Sequence, residues 1–108
     1  MSPVTPLIDK LYTTHKTVAK NGEVIEIHSE ISRKEGDLIH GIIASDPSIK
    51  HTLEVGCAYG LSSLHICEAL RGREGAHHTI IDAFQNTDWH GVGINHLDQA
   101  GIDFYELR

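Results

Sequence analysis

At 108 residues the chain has the size of one ordinary domain, long enough to bury a single core and not two. A hydrophobic fraction of 40% and a charged fraction of 22% argue against disorder. Nine Lys and Arg against 15 Asp and Glu give a net charge of -6 with no basic cluster, which argues against a nucleic-acid partner.

The opening MSPVTPLIDK has no charged start followed by a long apolar run, and no segment approaches the ~20 apolar residues of a membrane span, so a cytoplasmic protein is expected. Cys57 and Cys67 fit no disulfide framework or CxxC pair and read as small apolar fillers kept as thiols. The nine histidines, His77 with His78 and His90 with His96 among them, lack the spacing or cysteine companions of a zinc motif. No metal is assigned, and the histidines are expected on the surface and in loops.

Thr5-Pro6 reads as a helix opening, a capping hydroxyl followed by a proline where no donor is needed. Leu7, Ile8, Leu11 and Tyr12 recur at helical spacing, and Asn21-Gly22 is expected to end the segment. Glu23 to His28 alternates and reads as a short strand or an extended lead-in. Ser32 and Glu35 form a capping-box pattern for a helix over about 33–45, with Leu38, Ile39, Ile42 and Ile43 as its apolar stripe and Asp46-Pro47 as its stop.

From residue 49 onward strands and helices alternate. Thr52 to Val55 is a β-type run that stops at Gly56, and Leu61, Leu64, Cys67 and Leu70 then mark the inner face of a helix ending near Gly72. Thr79 to Ile81 is a second strand closed by Asp82. Ile94, Leu97 and Ala100 mark another helix, stopped by Gly101, and Ile102 to Leu107 reads as a third strand. The expected fold class is α/β: a parallel three-stranded βαβαβ half of a doubly wound, Rossmann-like sheet over 49–108, preceded by two helices within 1–48, in one domain.

The loop after the first of these strands carries Gly56, Ala58 and Gly60. Gly56 permits a tight exit, Ala58 lets backbone approach a ligand, and Gly60 opens a helix whose amides favour an anionic group. Asp82 lies 22 residues past Gly60, where a carboxylate can accept the hydroxyls of a ribose. Such a turn also serves plain close packing, and an Asp ending a strand also serves as a cap. The lysine of a P-loop is absent. Glu54 would repel a pyrophosphate but favour a ligand bearing an ammonium beside its carboxylate, the pattern of S-adenosylmethionine.

The stretch ExGxAxGxS from Glu54 to Ser62, IIDAFQNTDWHGVGINHLDQAG from Ile80 to Gly101, and HSEISRKEGDLI from His28 to Ile39 together resemble the class I S-adenosylmethionine-dependent methyltransferases, in particular the small-molecule O-methyltransferase-like branch. The resemblance implies that Gly56, Ala58 and Gly60 line the methionine end of the cofactor, with Glu54 at its amino group and Ser62 at its carboxylate. It implies Asp82 at the ribose and Ala83 against the adenine. Ala58 stands where the family more often has glycine. No catalytic residue is assigned; His65, Trp89 and His90 read as packing or surface residues.

That family's fold continues beyond three strands, so the resemblance is to its front half. In the doubly wound strand order the first strand also pairs with a fourth. Three strands alone leave it as an apolar edge, expected to be covered by a second copy in a homodimer or by another polypeptide. Methyl transfer to a small molecule is the leading expectation. A non-catalytic shortened relative acting through association, and a NAD-binding protein, are the alternatives.

Overall fold

The computed structural model describes residues 4–28 and 31–108. Helix α1, Val4–Thr14, includes Thr5 and Pro6, and the expected cap at Thr5 lies outside what is described. Pro6 still falls within the first turn, where amides have no intrahelical partner. Ile8 and Leu11 are buried beneath it. The helix stops at Thr14, well short of Asn21-Gly22, because His15 turns into the left-handed region at φ 53° and the β-branched Thr17-Val18 follows.

The chain then forms a hairpin that the helical spacing of Leu7 to Tyr12 obscured. Strand β1, Lys16–Val18, pairs antiparallel with β2, Val24–Glu26, in the register Thr17 to Ile25. Asn21-Gly22 forms its turn instead of a helix end. Gly22 takes φ +87°, the Asn21 Oδ1 accepts from the Glu23 amide at 3.0 Å, and the Ala19 amide donates to the Glu23 carbonyl at 2.9 Å.

Helix α2, Arg33–Ala44, carries the expected capping box. The Ser32 hydroxyl accepts from the Glu35 amide, and the Glu35 carboxylate accepts from the Ser32 amide, both at 3.1 Å. Its apolar stripe divides. Ile43 is buried and Ile39 half-buried, whereas Leu38 and Ile42 are 64% and 58% exposed. The helix is rolled toward the next one by Gly36, whose missing side chain admits the His65 ring: a Cβ there would lie 2.2 Å from Nε2.

Strands β3 (His51–Val55), β4 (His77–Ile81) and β5 (Tyr105–Leu107) form a parallel sheet in the order β3-β4-β5, with Leu53 beside Thr79 and Ile80 beside Leu107. Helices α3, Leu61–Leu70, and α4, Val92–Gln99, connect them. This is the expected α/β half-sheet with its first strand at one edge. Leu64, Cys67, Ile80 and Leu97 are wholly excluded from water and join Ile8, Leu11 and Ile102 in one core, and Leu70 is as fully buried. Because side chains alternate across a sheet, Leu53, Val55 and Ile81 stand on the opposite face, where they are exposed. Among the described residues no helix is long and apolar enough to cross a membrane.

Candidate functional site

The site forms where β3 and β4 end side by side, the edge at which open α/β sheets place ligands. The Gly56 amide donates to the Ile81 carbonyl at 2.8 Å, carrying the pairing one residue past the strand, and the chain then turns through left-handed conformations at Gly56 (φ +84°), Ala58 (φ +50°) and Gly60 (φ +83°). An L residue held there costs on the order of 1 kcal/mol, so Ala58 is strained where glycine would not be. A Cβ on Gly56 would touch nothing within 4 Å, whereas one on Gly60 would meet the Gly93 backbone at 2.8 Å. The space beside Gly56 opens into a cavity of about 350 Å³ lined by Ile31, Glu35, Gly56, Ala58, Tyr59 and Ser62.

Glu54 lies at the floor of this loop and turns toward α3. Its Oε2 accepts from the Ser62 hydroxyl, and its Oε1 accepts from the Ser63 hydroxyl and pairs with His78 Nε2 at 3.2 Å. The His78 ring is fully buried, with Thr52 Oγ1 on Nδ1 at 2.8 Å. A carboxylate has roughly four acceptor directions, so Oε2 keeps capacity for a further cationic donor. No side chain caps the N-terminus of α3, since its two serines are turned to Glu54.

Asp82 reaches back from β4 to the same loop. Its Oδ2 accepts from the Cys57 and Ala58 amides, both at 3.0 Å, and from Gln85 Nε2 at 3.1 Å, while Oδ1 accepts only from the Phe84 amide, at 3.2 Å. Burial pushes its carboxyl upward, but the donors from Ala58, Gln85, Cys57 and Phe84 outweigh it and hold the group below its ordinary range. Oδ2 is saturated; Oδ1 has room for an incoming hydroxyl. Ala83, next along, is exposed.

A second layer holds the loop from behind. Gln85, fully buried, also donates to the Ala58 carbonyl at 2.9 Å and accepts from the Ile94 amide at 3.1 Å. Gly93 lets α4 come this close: a Cβ there would lie 2.5 Å from the Ala58 carbonyl oxygen and 2.7 Å from Cys57 Sγ. His96, also fully buried, meets the Tyr59 carbonyl through Nδ1 at 2.8 Å and Thr17 Oγ1 through Nε2 at 2.6 Å. A carbonyl requires a donor, so the neutral ring carries its proton on Nδ1. Burial holds His96 below its ordinary value, against the opposing pull of that carbonyl.

Trp89 packs edge-on against Tyr59 with ring centroids 5.1 Å apart, and His90 is exposed at φ 54°. His65 is buried under α2, its Nε2 without a partner, and burial lowers its pKa. Three histidines thus lie inside: His78 and His96 contrary to the expectation of surface and loop positions, and His65 as a packing residue, one of the two readings its sequence allowed. Each is held by packing or polar partners that periodicity does not register. Cys57 and Cys67 are free thiols, and burial pushes both up to about 12. Among the described residues no three His, Cys, Asp or Glu side chains gather as a metal site.

Gly56, Ala58 and Gly60 therefore lie on the loop between β3 and α3, with Glu54 near the end of β3, Ser62 in the first turn of α3, and Asp82 and Ala83 just past β4. Sequence reasoning missed Gln85 and Gly93. The close spacing of Gly91 and Gly93 at the head of a helix was the one signal available for the second.

No protein-family model matches the chain, and no curated protein does. Solved structures do. A Streptomyces achromogenes O-methyltransferase involved in tomaymycin synthesis, determined in complex with SAM, superposes with a TM-score of 0.62 at 22% identity, covering 72% of this chain and 33% of its own. A Podospora anserina methyltransferase bound to SAH gives 0.68 at 16% identity, covering 100% and 41%. A Bacillus cereus O-methyltransferase in complex with SAH gives 0.63 at 15%, covering 97% and 40%. The chain spans about two fifths of the length of these structures or less, in keeping with an N-terminal half, and what it shares with them is the fold of that portion of an O-methyltransferase.

Proposed function

We propose that this chain is an S-adenosylmethionine-binding half-domain of the methyltransferase type, acting on a small-molecule acceptor once its open sheet is completed. The observation that carries the reading is a left-handed glycine loop, with an open hollow at Gly56, that leaves the strand bearing one carboxylate, Glu54, and is bonded by a second, Asp82. The cofactor fits this donor set. Its ammonium would meet Glu54 Oε2, its carboxylate would lie by Ser62 at the head of α3, and a ribose hydroxyl would reach Asp82 Oδ1. Gly56, Ala58 and Gly60 would pass beneath the methionine end, and Ala83 would face the adenine. The fold neighbours solved with SAM or SAH support the same choice.

When bound, the cofactor supplies an electrophilic methyl group on its sulfonium. This chain's residues would bind and orient it and keep water from its tail. The exposed Leu53, Val55 and Ile81 and the unpaired edge of β3 support completion by a second copy of the chain or by another polypeptide. Light scattering showing a lone monomer across micromolar concentrations would argue against that part.

Calorimetric titration tests the cofactor reading. S-adenosylmethionine and S-adenosylhomocysteine should bind, NAD should not, and Glu54→Ala and Asp82→Ala should each lose the binding. Binding of NAD alone, or of none of the three, would overturn it.

A further inference from the structure

Gln85 uses both donors and one acceptor direction of its carboxamide, and uses them on three different elements. The two N–H bonds go to the Ala58 carbonyl at 2.9 Å and to Asp82 Oδ2 at 3.1 Å, while Oε1 takes the Ile94 amide at 3.1 Å. The orientation is fixed by its partners. Ala58 O and Asp82 Oδ2 only accept and Ile94 N only donates, so a flipped amide would set oxygen against oxygen. Its backbone is equally committed, with the Gly91 amide donating to the Gln85 carbonyl at 2.6 Å.

The two acceptors served by Nε2 are the carbonyl of Ala58, a residue that lines the hollow, and the carboxylate that the cofactor reading assigns to the ribose. Without a donor between them they would face one another across a buried gap, and the left-handed Ala58 peptide would lose its tether. Among the described residues no other side chain bonds both. Asparagine is too short, glutamate lacks donors and adds a second negative charge, and methionine offers neither donor nor acceptor of comparable strength.

We propose that Gln85 is the positioning residue of the glycine loop, its carboxamide setting the spacing between the Ala58 peptide and the Asp82 carboxylate on which nucleoside binding depends. This rests on the cofactor reading above. Asp82 is the titratable group bonded to it; the Cys57 thiol, like Gln85 Oε1, lies against Gly93, and His96 on α4 bonds the Tyr59 carbonyl next along the loop.

The test is titration of the full chain with S-adenosylhomocysteine at several pH values, comparing wild type, Gln85→Ala and Gln85→Glu, each affinity taken relative to wild type at that pH. Loss of a hydrogen bond to a charged partner is worth about tenfold or more in affinity, so both variants should be weaker by that factor at pH 8. As pH falls toward about 5, the introduced carboxyl, raised by burial and by Asp82, takes up a proton and regains a donor. Gln85→Glu should then recover toward wild type while Gln85→Ala stays weak. A flat ratio for Gln85→Glu, or wild-type affinity in Gln85→Ala, would overturn the proposal.

If wild type itself fails to bind, the cofactor reading falls, and hydrogen exchange in the ligand-free protein decides the role of Gln85. Exchange at the Cys57, Ala58 and Ile94 amides that quickens in Gln85→Ala relative to the β4 amides supports it, and unchanged exchange refutes it. Should Gln85→Ala not fold, the pH dependence of amide exchange in Gln85→Glu gives the same decision.

Discussion

Replacing Gly93 by alanine should destabilise the protein, although alanine is the better helix former. Gly93 is the second residue of α4 and its φ lies outside the left-handed region, so propensity alone favours alanine by up to about 1 kcal/mol. The added methyl, however, would sit 2.5 Å from the Ala58 carbonyl oxygen, 2.7 Å from Cys57 Sγ and 2.9 Å from Gln85 Oε1. The first of these is backbone, held by Gln85, so either the loop or the helix must move. Overpacking of this kind costs about 1–3 kcal/mol, enough to outweigh the propensity gain. Gly41 in α2 is the control, since a Cβ there touches nothing within 4 Å, and Gly41→Ala should stabilise by about 0.5–1 kcal/mol. Urea unfolding followed by circular dichroism, with unchanged m-values, reads both. Gly93→Ala proving as stable as wild type, or the two substitutions moving stability the same way, would refute the reasoning.

Asp82, with its carboxyl held below the ordinary 3.8, adds stability that is complete above that value and is lost as pH falls through its lower folded value; Asp82→Asn should flatten this part of the stability curve. His96 and His65 act at higher pH. Both are lowered from 6.5 by burial, so the unfolded chain takes up protons first and stability should decline as pH falls below 6.5, a decline that His96→Gln should reduce. Cys57 and Cys67, raised to about 12 and buried, should react with a disulfide reagent only at the rate of unfolding, and fast labelling of either thiol in the native protein would contradict their placement.

The half-sheet was legible because its signals are local: short β-type runs ending at Gly56 and Asp82, an apolar residue at every third position from Leu61 to Leu70, and Gly101 as a stop. The hairpin was legible only in part: the alternation of Glu23 to His28 marks its second strand, whereas Lys16–Val18 is too short to show a period and Asn21-Gly22 ends a helix as readily as it turns a strand. Leu38 and Ile42 belong to an apolar stripe whose burial depends on what lies opposite, which the sequence of α2 does not state. The glycine loop and Asp82 announced themselves by spacing. Gln85, His78 and His96 did not, because a polar side chain becomes a core residue only when distant partners satisfy it.

Cofactor binding at the glycine loop is read residue by residue in an amide titration of the chain by NMR with S-adenosylhomocysteine. Saturable shifts are expected at Gly56, Ala58, Gly60, Asp82 and Ala83, with the hairpin from Lys16 to Glu26 unmoved. Shifts confined elsewhere, or none at the loop at saturating ligand, would contradict it.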